Sequence, residues 1–274
     1  MKYRSSSQAF KFNIPDILQM TKIIKEDGEV NINSLAEKLG WGIPKANENI
    51  QYMIFCDILE EKQVSKFGIK LIELTQAPSF IEQLLLYKLS RGSRNGGHYY
   101  FSRLINQVLY DYAFQINNFV TLNQVIEKAL MVREEEEYSK DSNKVKEKNY
   151  IQAFRGGLAD KTTGFGKMGM VVEKDGQYEI TGYIPDRLVT AYIIYDNWPK
   201  GRMALKRDEI YTMNYYPAKI FFIGPRLFDE QIDYLIDERI LNFEREAGLN
   251  QITRNPGLTA DKIMDRIVEK CINR

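Results

Sequence analysis

Three short apolar patterns at helical spacing follow one another between residues 14 and 63, and they constrain the fold more than any other feature. The first begins near Ile14, with Pro15 suited to a first helical turn, and ends at Asp27–Gly28. The residues after it, Glu29 to Ile32, predict a short extended strand. The chain therefore begins with a compact helical unit rather than with a β-rich one.

A glycine turn separates the second pattern from the third. Asn33 or Ser34 can cap the second helix, SLAEKL, which ends at Gly40. Pro44 suits the first turn of a third helix that extends to about residue 60. This order of elements is the layout of a helix-turn-helix, in which the last helix enters the major groove of DNA.

The residues after the third helix are typical of a β-wing. They read CDILEEKQVSKFGIKLIEL and predict a strand, a charged tip from Lys62 to Lys66, and a returning strand. Residues 1–76 are thus predicted to form a winged helix-turn-helix. Folds of this type bind DNA or serve as protein–protein modules, so both functions stay open.

The rest of the chain is predicted to be mainly helical, in two further regions. Residues 77–146 contain three apolar helical segments and end in a charged linker, which places a domain boundary near 134–147. Residues 147–274 are predicted as a helical C-terminal domain with a β-hairpin near 170–181, turning at Asp175–Gly176. We interpret that hairpin as part of a second winged-helix-like unit. The fold class is mainly α with small β wings.

The composition limits how the protein could bind nucleic acid and indicates its cellular compartment. Lys and Arg number 38 against 37 for Asp and Glu, which argues against a protein that coats DNA through bulk charge. No apolar stretch approaches the ~20 residues of a membrane span, and the first residues lack the apolar core of a signal peptide. We expect a cytoplasmic protein with no membrane partner, whose DNA contacts are local.

Residues suited to catalysis are scarce. His98 is the single histidine, and Cys56 and Cys271 lie far apart, so neither a zinc site nor a Ser-His-Asp triad is supported. The GFGKMG segment at 164–169 lacks the preceding strand and the third glycine of a dinucleotide loop, and we interpret it as a turn. We therefore expect no catalytic residues, no cofactor and no metal.

The third helix and the wing carry the first candidate DNA-binding residues. Off the apolar stripe of the helix lie polar side chains suited to base edges or phosphates, namely Lys45, Asn47, Asn49 and Gln51. Lys66 is the candidate in the wing. Glu48 works against a purely phosphate-binding surface, and an ordinary solvated helix face has a similar composition.

Two basic clusters are further candidates for phosphate contact. Between Glu82 and Asp111 no acidic residue occurs, and the basic residues there are Lys88, Arg91, Arg94 and Arg103. Alternatively, the aromatic residues at 99–101 start a core helix and the arginines pair with the glutamates at 134–137. The second cluster contains Lys206 and Arg207, with Lys200 and Arg202 just before them.

The order of several motifs resembles a bacterial family known only as a domain of unknown function. The motifs are an opening F-x-F at Phe10 and Phe12, LGWG at 39–42, FGIKLIEL, IEQLLLYKLS, DGQYEITGYIPDRLVTAYIIYD, YYPAKIFFIGPRLFDEQIDYL and EAGLNQI. The histidine-containing motif with which that family usually opens is absent. Members are often encoded beside phosphoadenosine-phosphosulfate-reductase-like and DNA phosphorothioation genes. The resemblance implies a component of a DNA-modification or anti-phage defence system, and it supplies no catalytic residues.

Three functions are consistent with these observations. The first is a non-catalytic DNA-binding or DNA-sensing subunit of such a system, with double-stranded DNA and proteins of the same system as partners. The second is a protein–protein docking module for a partner ATPase, nuclease or modification enzyme, which the near-neutral charge favours. The third is a transcription regulator or replication initiator. The oligomeric state is left open.

Overall fold

The computed structural model describes residues 12–91, 98–115, 118–132, 142–162, 164–244 and 251–272. Within these ranges the chain is mainly helical with small antiparallel sheets, as the sequence predicts. The N-terminal elements are α1 (Ile14–Asp27), α2 (Ile32–Leu39), α3 (Ile43–Phe55), β1 (Leu59–Glu60), β2 (Gln63–Val64) and α4 (Lys66–Glu73).

The start of α2 differs from the prediction because of one asparagine. Gly28 ends α1 in the left-handed region, at φ 85°. The side-chain oxygen of Asn31 then accepts a hydrogen bond from the backbone N–H of Ser34 at 3.1 Å. Since Asn31 is the N-cap, α2 begins at Ile32, so both the predicted strand over 29–32 and the predicted cap at Asn33 or Ser34 are wrong.

The hairpin after α3 is shorter than predicted. Strands β1 and β2 pair over two residues each, so the turn lies at 61–62 rather than at 62–66. The Oγ atom of Ser65 accepts a hydrogen bond from the backbone N–H of Gly68 at 3.0 Å and caps the next helix. The chain from Lys66 onward is therefore helical, and the long returning strand is wrong.

The central region contains the expected helices and one additional strand. The elements are α5 (Pro78–Ser90), α6 (Tyr99–Arg103), a π-helix (Leu104–Leu109), α7 (Tyr110–Ala113), β3 (Phe119–Val120), α8 (Leu122–Met131) and α9 (Asn143–Phe154), which continues as a π-helix over Arg155–Ala159. Thr121 opens α8 through a capping box with Gln124, as its position predicts. Of the proposed boundary at 134–147, the part up to residue 141 lies outside the described residues, and 143–147 belong to α9.

The predicted hairpin near 170–181 is confirmed. Strands β4 (Val171–Lys174) and β5 (Gln177–Ile180) pair antiparallel after a short 3-10 turn over Gly166–Met168. The other edge of β5 pairs with β3, which gives the strand order β3-β5-β4. The hairpin thus shares a sheet with a strand from the preceding region, residues 77–146.

The last part of the chain contains a three-stranded sheet that the sequence did not predict. Its elements are α10 (Arg187–Asp196), β6 (Ala204–Lys206), α11 (Arg207–Thr212), α12 (Pro217–Phe221), α13 (Pro225–Asp237), β7 (Leu241–Glu244), β8 (Gln251–Arg254) and α14 (Ala260–Ile272). The three strands are antiparallel in the order β6-β8-β7. Helix α10 begins after Asp186, whose carboxylate accepts a hydrogen bond from the N–H of Leu188 at 2.9 Å.

Buried apolar side chains from all of these regions form one hydrophobic cluster. The ring of Phe165 lies 5.4 Å from that of Phe12 and 5.6 Å from that of Phe101, so segments distant in sequence meet in it. Over the described ranges, none of the helices combines the length and the apolar character that crossing a membrane requires.

Candidate nucleic-acid interface

The outer face of α3 carries three side chains spaced four residues apart, Ile43, Asn47 and Gln51, which we call the α3 stripe. Residues at this spacing lie on one face of a helix. Ile43 is 50% exposed, and Asn47 and Gln51 are exposed. The opposite face holds Ala46 and Met53, both fully buried. The helix is therefore held through its apolar face and presents two amides and one aliphatic side chain outward.

Lys45 lies beside the α3 stripe in an exposed ion pair. Its ammonium is 2.8 Å from the carboxylate of Asp16 on α1 and 3.7 Å from the centre of the Trp41 ring. With 47% of the Lys45 side chain exposed, this pair contributes at most about 1 kcal/mol. Lys45 can therefore exchange Asp16 for a phosphate at little cost.

Asn49 does not belong to this surface, although the sequence placed it there. It is 3% exposed, and its amide nitrogen donates to the backbone oxygen of Lys45 at 3.0 Å. The prediction of Asn49 as a base-reading residue is corrected, because the side chain points into the fold. Ile43, by contrast, was missed; its position one turn before Asn47 was the available signal.

Lys66 is exposed at the first residue of α4. It lines a cavity of about 490 Å³ together with Phe67, Lys70 and Tyr192 and residues of α14. The turn of the β1–β2 hairpin at 61–62 contributes one acidic and one basic residue. Lys66 stays a candidate for phosphate contact, but it belongs to a helix rather than to a wing.

Lys88 and Arg91 are structural residues rather than surface ones. Lys88 is 2% exposed, and its ammonium lies 2.7 Å from Asp196 on α10 and 3.1 Å from Asp57 after α3. Arg91 lies 2.5 Å from the same Asp57. Burial by itself would lower the pKa of Lys88, but the neighbouring Tyr192 and the two carboxylates outweigh it, so the pKa is raised and the ammonium stays charged. The predicted phosphate contacts of Lys88 and Arg91 are corrected to an ion-pair network in which the Lys88 side chain is buried and Asp57 is partly exposed.

Arg103 is likewise buried, with 5% exposed. Its Nε donates to the hydroxyl of Tyr150 at 2.9 Å, and its Nη2 donates to the backbone oxygen of Val132 at 2.8 Å. This arginine ties α6 to α8 and α9, so its prediction as a phosphate ligand is corrected. Arg94 and the glutamates at 134–137 lie outside the described residues.

The second basic cluster is partly neutralised by neighbouring carboxylates. Arg207 contacts Asp229 at 3.3 Å and Asp233 at 2.5 Å, both on α13. Lys206 is exposed, and its backbone N–H donates to Glu209 at 2.7 Å. Arg207 is therefore held in ion pairs with α13, and Lys206 is the better candidate of the two for phosphate contact.

The two side chains most suited to covalent or acid–base chemistry are embedded in the fold. Burial raises the pKa of the Cys56 thiol well above its ordinary value, which leaves no thiolate near neutral pH. Burial also lowers the pKa of His98 to about 4. Its ring stacks with Tyr52 at 6.2 Å and packs edge-on against Phe55 at 5.6 Å. Both residues act here as packing groups.

Comparison with known proteins identifies a fold but not a family. No protein-family model matches the chain, and no curated protein matches its sequence. A magnesium-ion-bound crystal structure of SspB matches with a TM-score of 0.69 at 11% identity, covering 98% of this chain and 88% of that chain. The fold resembles that of SspB. A second SspB crystal structure matches with a TM-score of 0.63 at 12% identity, covering 94% of this chain and 86% of that chain.

Magnesium in one SspB structure raises the question of whether this chain has a metal site. Among the residues that the structure describes, no group of three or more His, Cys, Asp or Glu side chains is placed to hold a metal ion. The neighbouring carboxylates of Asp229 and Asp233 both form ion pairs with Arg207.

Proposed function

We propose that this chain is a non-catalytic DNA-binding subunit that contacts duplex DNA through the α3 stripe. The observation that carries the proposal is the pair of exposed amides of Asn47 and Gln51 on the outer face of a helix whose other face is fully buried. Asparagine and glutamine can form two hydrogen bonds with the edge of adenine, and an aliphatic side chain such as Ile43 can contact the thymine methyl group.

The order of elements around α3 supports a winged helix. The backbone N–H of Val30 donates to the oxygen of Lys62 at 2.8 Å, which joins the connection between α1 and α2 to the β1–β2 hairpin. We infer a second winged helix from the described elements between α10 and β8, which the strand order β6-β8-β7 supports. In this proposal the second winged helix occupies residues 187–254 instead of including the hairpin near 170–181.

The cellular role rests on the resemblance of the motif order to the family encoded beside DNA phosphorothioation genes. We propose a cytoplasmic component of a bacterial DNA-modification or anti-phage defence system, acting with proteins of that system. The burial of Cys56 and the low pKa of His98 favour a binding role over nucleophilic or acid–base catalysis.

A salt titration tests the electrostatic part of this proposal. Duplex affinity of the full chain should fall linearly with the logarithm of salt concentration, and Lys45→Glu should weaken binding and reduce the slope by about 1 or more. Lys22→Glu is the matched control, because Lys22 is exposed on α1 outside the α3 stripe. Salt-insensitive binding, or equal effects of the two substitutions, would contradict the proposal.

A protein-docking module is the second candidate, and one observation favours it. The exposed face of α13, the corresponding helix of the second unit, is acidic, and its carboxylates are Asp229, Glu230, Asp233 and Asp237. Such a face repels phosphates, so the second unit is better suited to a protein with a basic surface. Stable co-purification with a partner, in a chain that has no DNA affinity, would select this candidate over the first.

A further inference from the structure

Phe114 forms an exposed aromatic surface at the end of α7. It is 45% exposed, and every other aromatic residue that the structure describes is less exposed. Its ring lies 4.9 Å from the ring of Tyr110, and the hydroxyl of Tyr110 bonds to that of Tyr211 at 2.8 Å. These contacts hold the Phe114 ring in place while nearly half of the residue stays accessible to a ligand.

Lys219 on α12 is placed against the same aromatic group. Its ammonium lies 3.8 Å from the centre of the Tyr110 ring, and the side chain is half-buried. No carboxylate among the described residues lies within ion-pair distance of it; the nearby Asp111 instead bonds to Lys128 at 2.8 Å. Desolvation lowers the pKa of Lys219, and Asp111 offsets this only in part. Lys219 thus has no ion-pair partner among the described residues, and an incoming anion would supply one.

The N-terminus of α13 borders this surface. A Cβ atom at Gly224 would lie 3.4 Å from the Phe114 ring, so the glycine allows close contact between the two. Gly224 supplies no side-chain cap to α13, and Arg226 in the first turn is 85% exposed. Arg226 forms an ion pair with Glu230 at 3.5 Å, so the positive charge beside Phe114 comes from Lys219 and from the backbone N–H groups of the first turn of α13.

We propose that Phe114 and Lys219 bind single-stranded DNA, with one base stacked on the Phe114 ring and the adjacent phosphate on the Lys219 ammonium. An exposed ring beside an unpaired cation is what an unstacked nucleotide requires, because each base has an apolar face and each linkage a negative charge. A paired duplex hides its base faces and cannot use the ring. This inference rests on the proposed DNA-binding function and adds a second contact surface, formed by residues outside the predicted winged helix-turn-helix at 1–76.

Fluorescence anisotropy with a labelled 12-nucleotide thymidine strand and a 12-base-pair duplex tests the proposal on the full chain. Phe114→Ala should weaken single-strand binding by about 5-fold to 100-fold, the range expected for one stacked base, and leave duplex binding unchanged. Phe114→Trp should retain single-strand binding, which a merely structural role for the ring would not predict. Lys219→Gln should weaken the same binding and lower its salt slope by about 0.7.

Matched controls are Met203→Ala, at a side chain that is 88% exposed, and Lys22→Gln on α1. Unchanged single-strand affinity in Phe114→Ala, or an equal loss with Met203→Ala, would overturn the inference. A wild-type chain that binds duplex but not the thymidine strand would overturn it while the proposed function stands. A chain that binds neither would overturn both.

Discussion

Replacing Lys88 with methionine separates a structural role from a DNA-binding one. Methionine keeps the length and apolar volume of the lysine stem and removes the charge. The ammonium it removes lies between two carboxylates, 2.7 Å from Asp196 and 3.1 Å from Asp57, in a side chain that is 3% exposed. We therefore expect the substitution to lower the free energy of unfolding and to leave DNA affinity unchanged.

The magnitude follows from what remains around the two carboxylates. Removing one member of a buried ion pair costs about 3 to 5 kcal/mol, mainly because the other charge is left buried. Here Asp57 keeps Arg91 at 2.5 Å, and Asp196 keeps the hydroxyl of Tyr87 at 2.5 Å. Because both carboxylates retain a partner and are 41% and 24% exposed, we expect a loss below that range, about 2 kcal/mol.

Urea denaturation monitored by circular dichroism measures the loss, and anisotropy with a duplex measures binding. The double variant Lys88→Met/Asp196→Leu should recover part of the stability, since it also removes the carboxylate that has lost its nearest cation. An unchanged denaturation midpoint together with weaker DNA binding would refute the assignment of Lys88 to the fold.

Two further substitutions test local features of the structure. His98→Asn keeps an N-cap for α6 but removes the titrating ring. Burial lowers the pKa of His98 in the folded wild type to about 4, so the unfolded chain binds the proton at a higher pH than the folded chain. The wild type should therefore lose about 3 kcal/mol of stability as the pH falls from about 6.5 to 4, and His98→Asn should not show this loss. If urea denaturation gives His98→Asn the same pH dependence of stability as the wild type, the prediction is contradicted. Gly166→Ala should destabilise the chain by about 3 kcal/mol or more in thermal unfolding, because a Cβ atom there would lie 2.1 Å from the backbone oxygen of Asp160. Gly42→Ala is the control, because its Cβ atom would contact only Pro44, at 3.6 Å, and should change the stability little. Equal unfolding temperatures for the two alanine variants would show that the packing around residue 166 can relax.

Local sequence signals predicted most of the helices correctly. Thr121 with Gln124 marked the start of α8, and Asp175–Gly176 marked the β4–β5 turn, because caps and tight turns depend on residues within a few positions of each other. Where two local signals competed, the prediction was less accurate: Asn31 rather than Asn33 caps α2, which removes the predicted strand.

Long-range partners could not be read from the sequence. Lys88 forms an ion pair with Asp196, which is 108 positions away in the sequence. The local sequence around a lysine does not show whether its side chain is solvated or buried in such a pair. Strand β6 is only three residues long and pairs with β8, so its apolar pattern is too short to recognise. In the candidate site, Asn47 and Gln51 were predictable from the apolar stripe of α3, whereas the surroundings of Phe114 include Gly224, which is distant in sequence.

The affinity of the double variant Asn47→Ala/Gln51→Ala for duplex DNA tests the central proposal most directly. The measurement uses duplexes enriched from a random pool by the wild-type protein, at one fixed salt concentration, with circular dichroism to confirm folding. Since each base contact of this kind contributes about 1 to 3 kcal/mol, we predict at least a tenfold loss of affinity for the enriched duplexes and little change for unselected ones. Equal affinity of the folded variant and the wild type for the enriched duplexes would contradict DNA recognition through the α3 stripe.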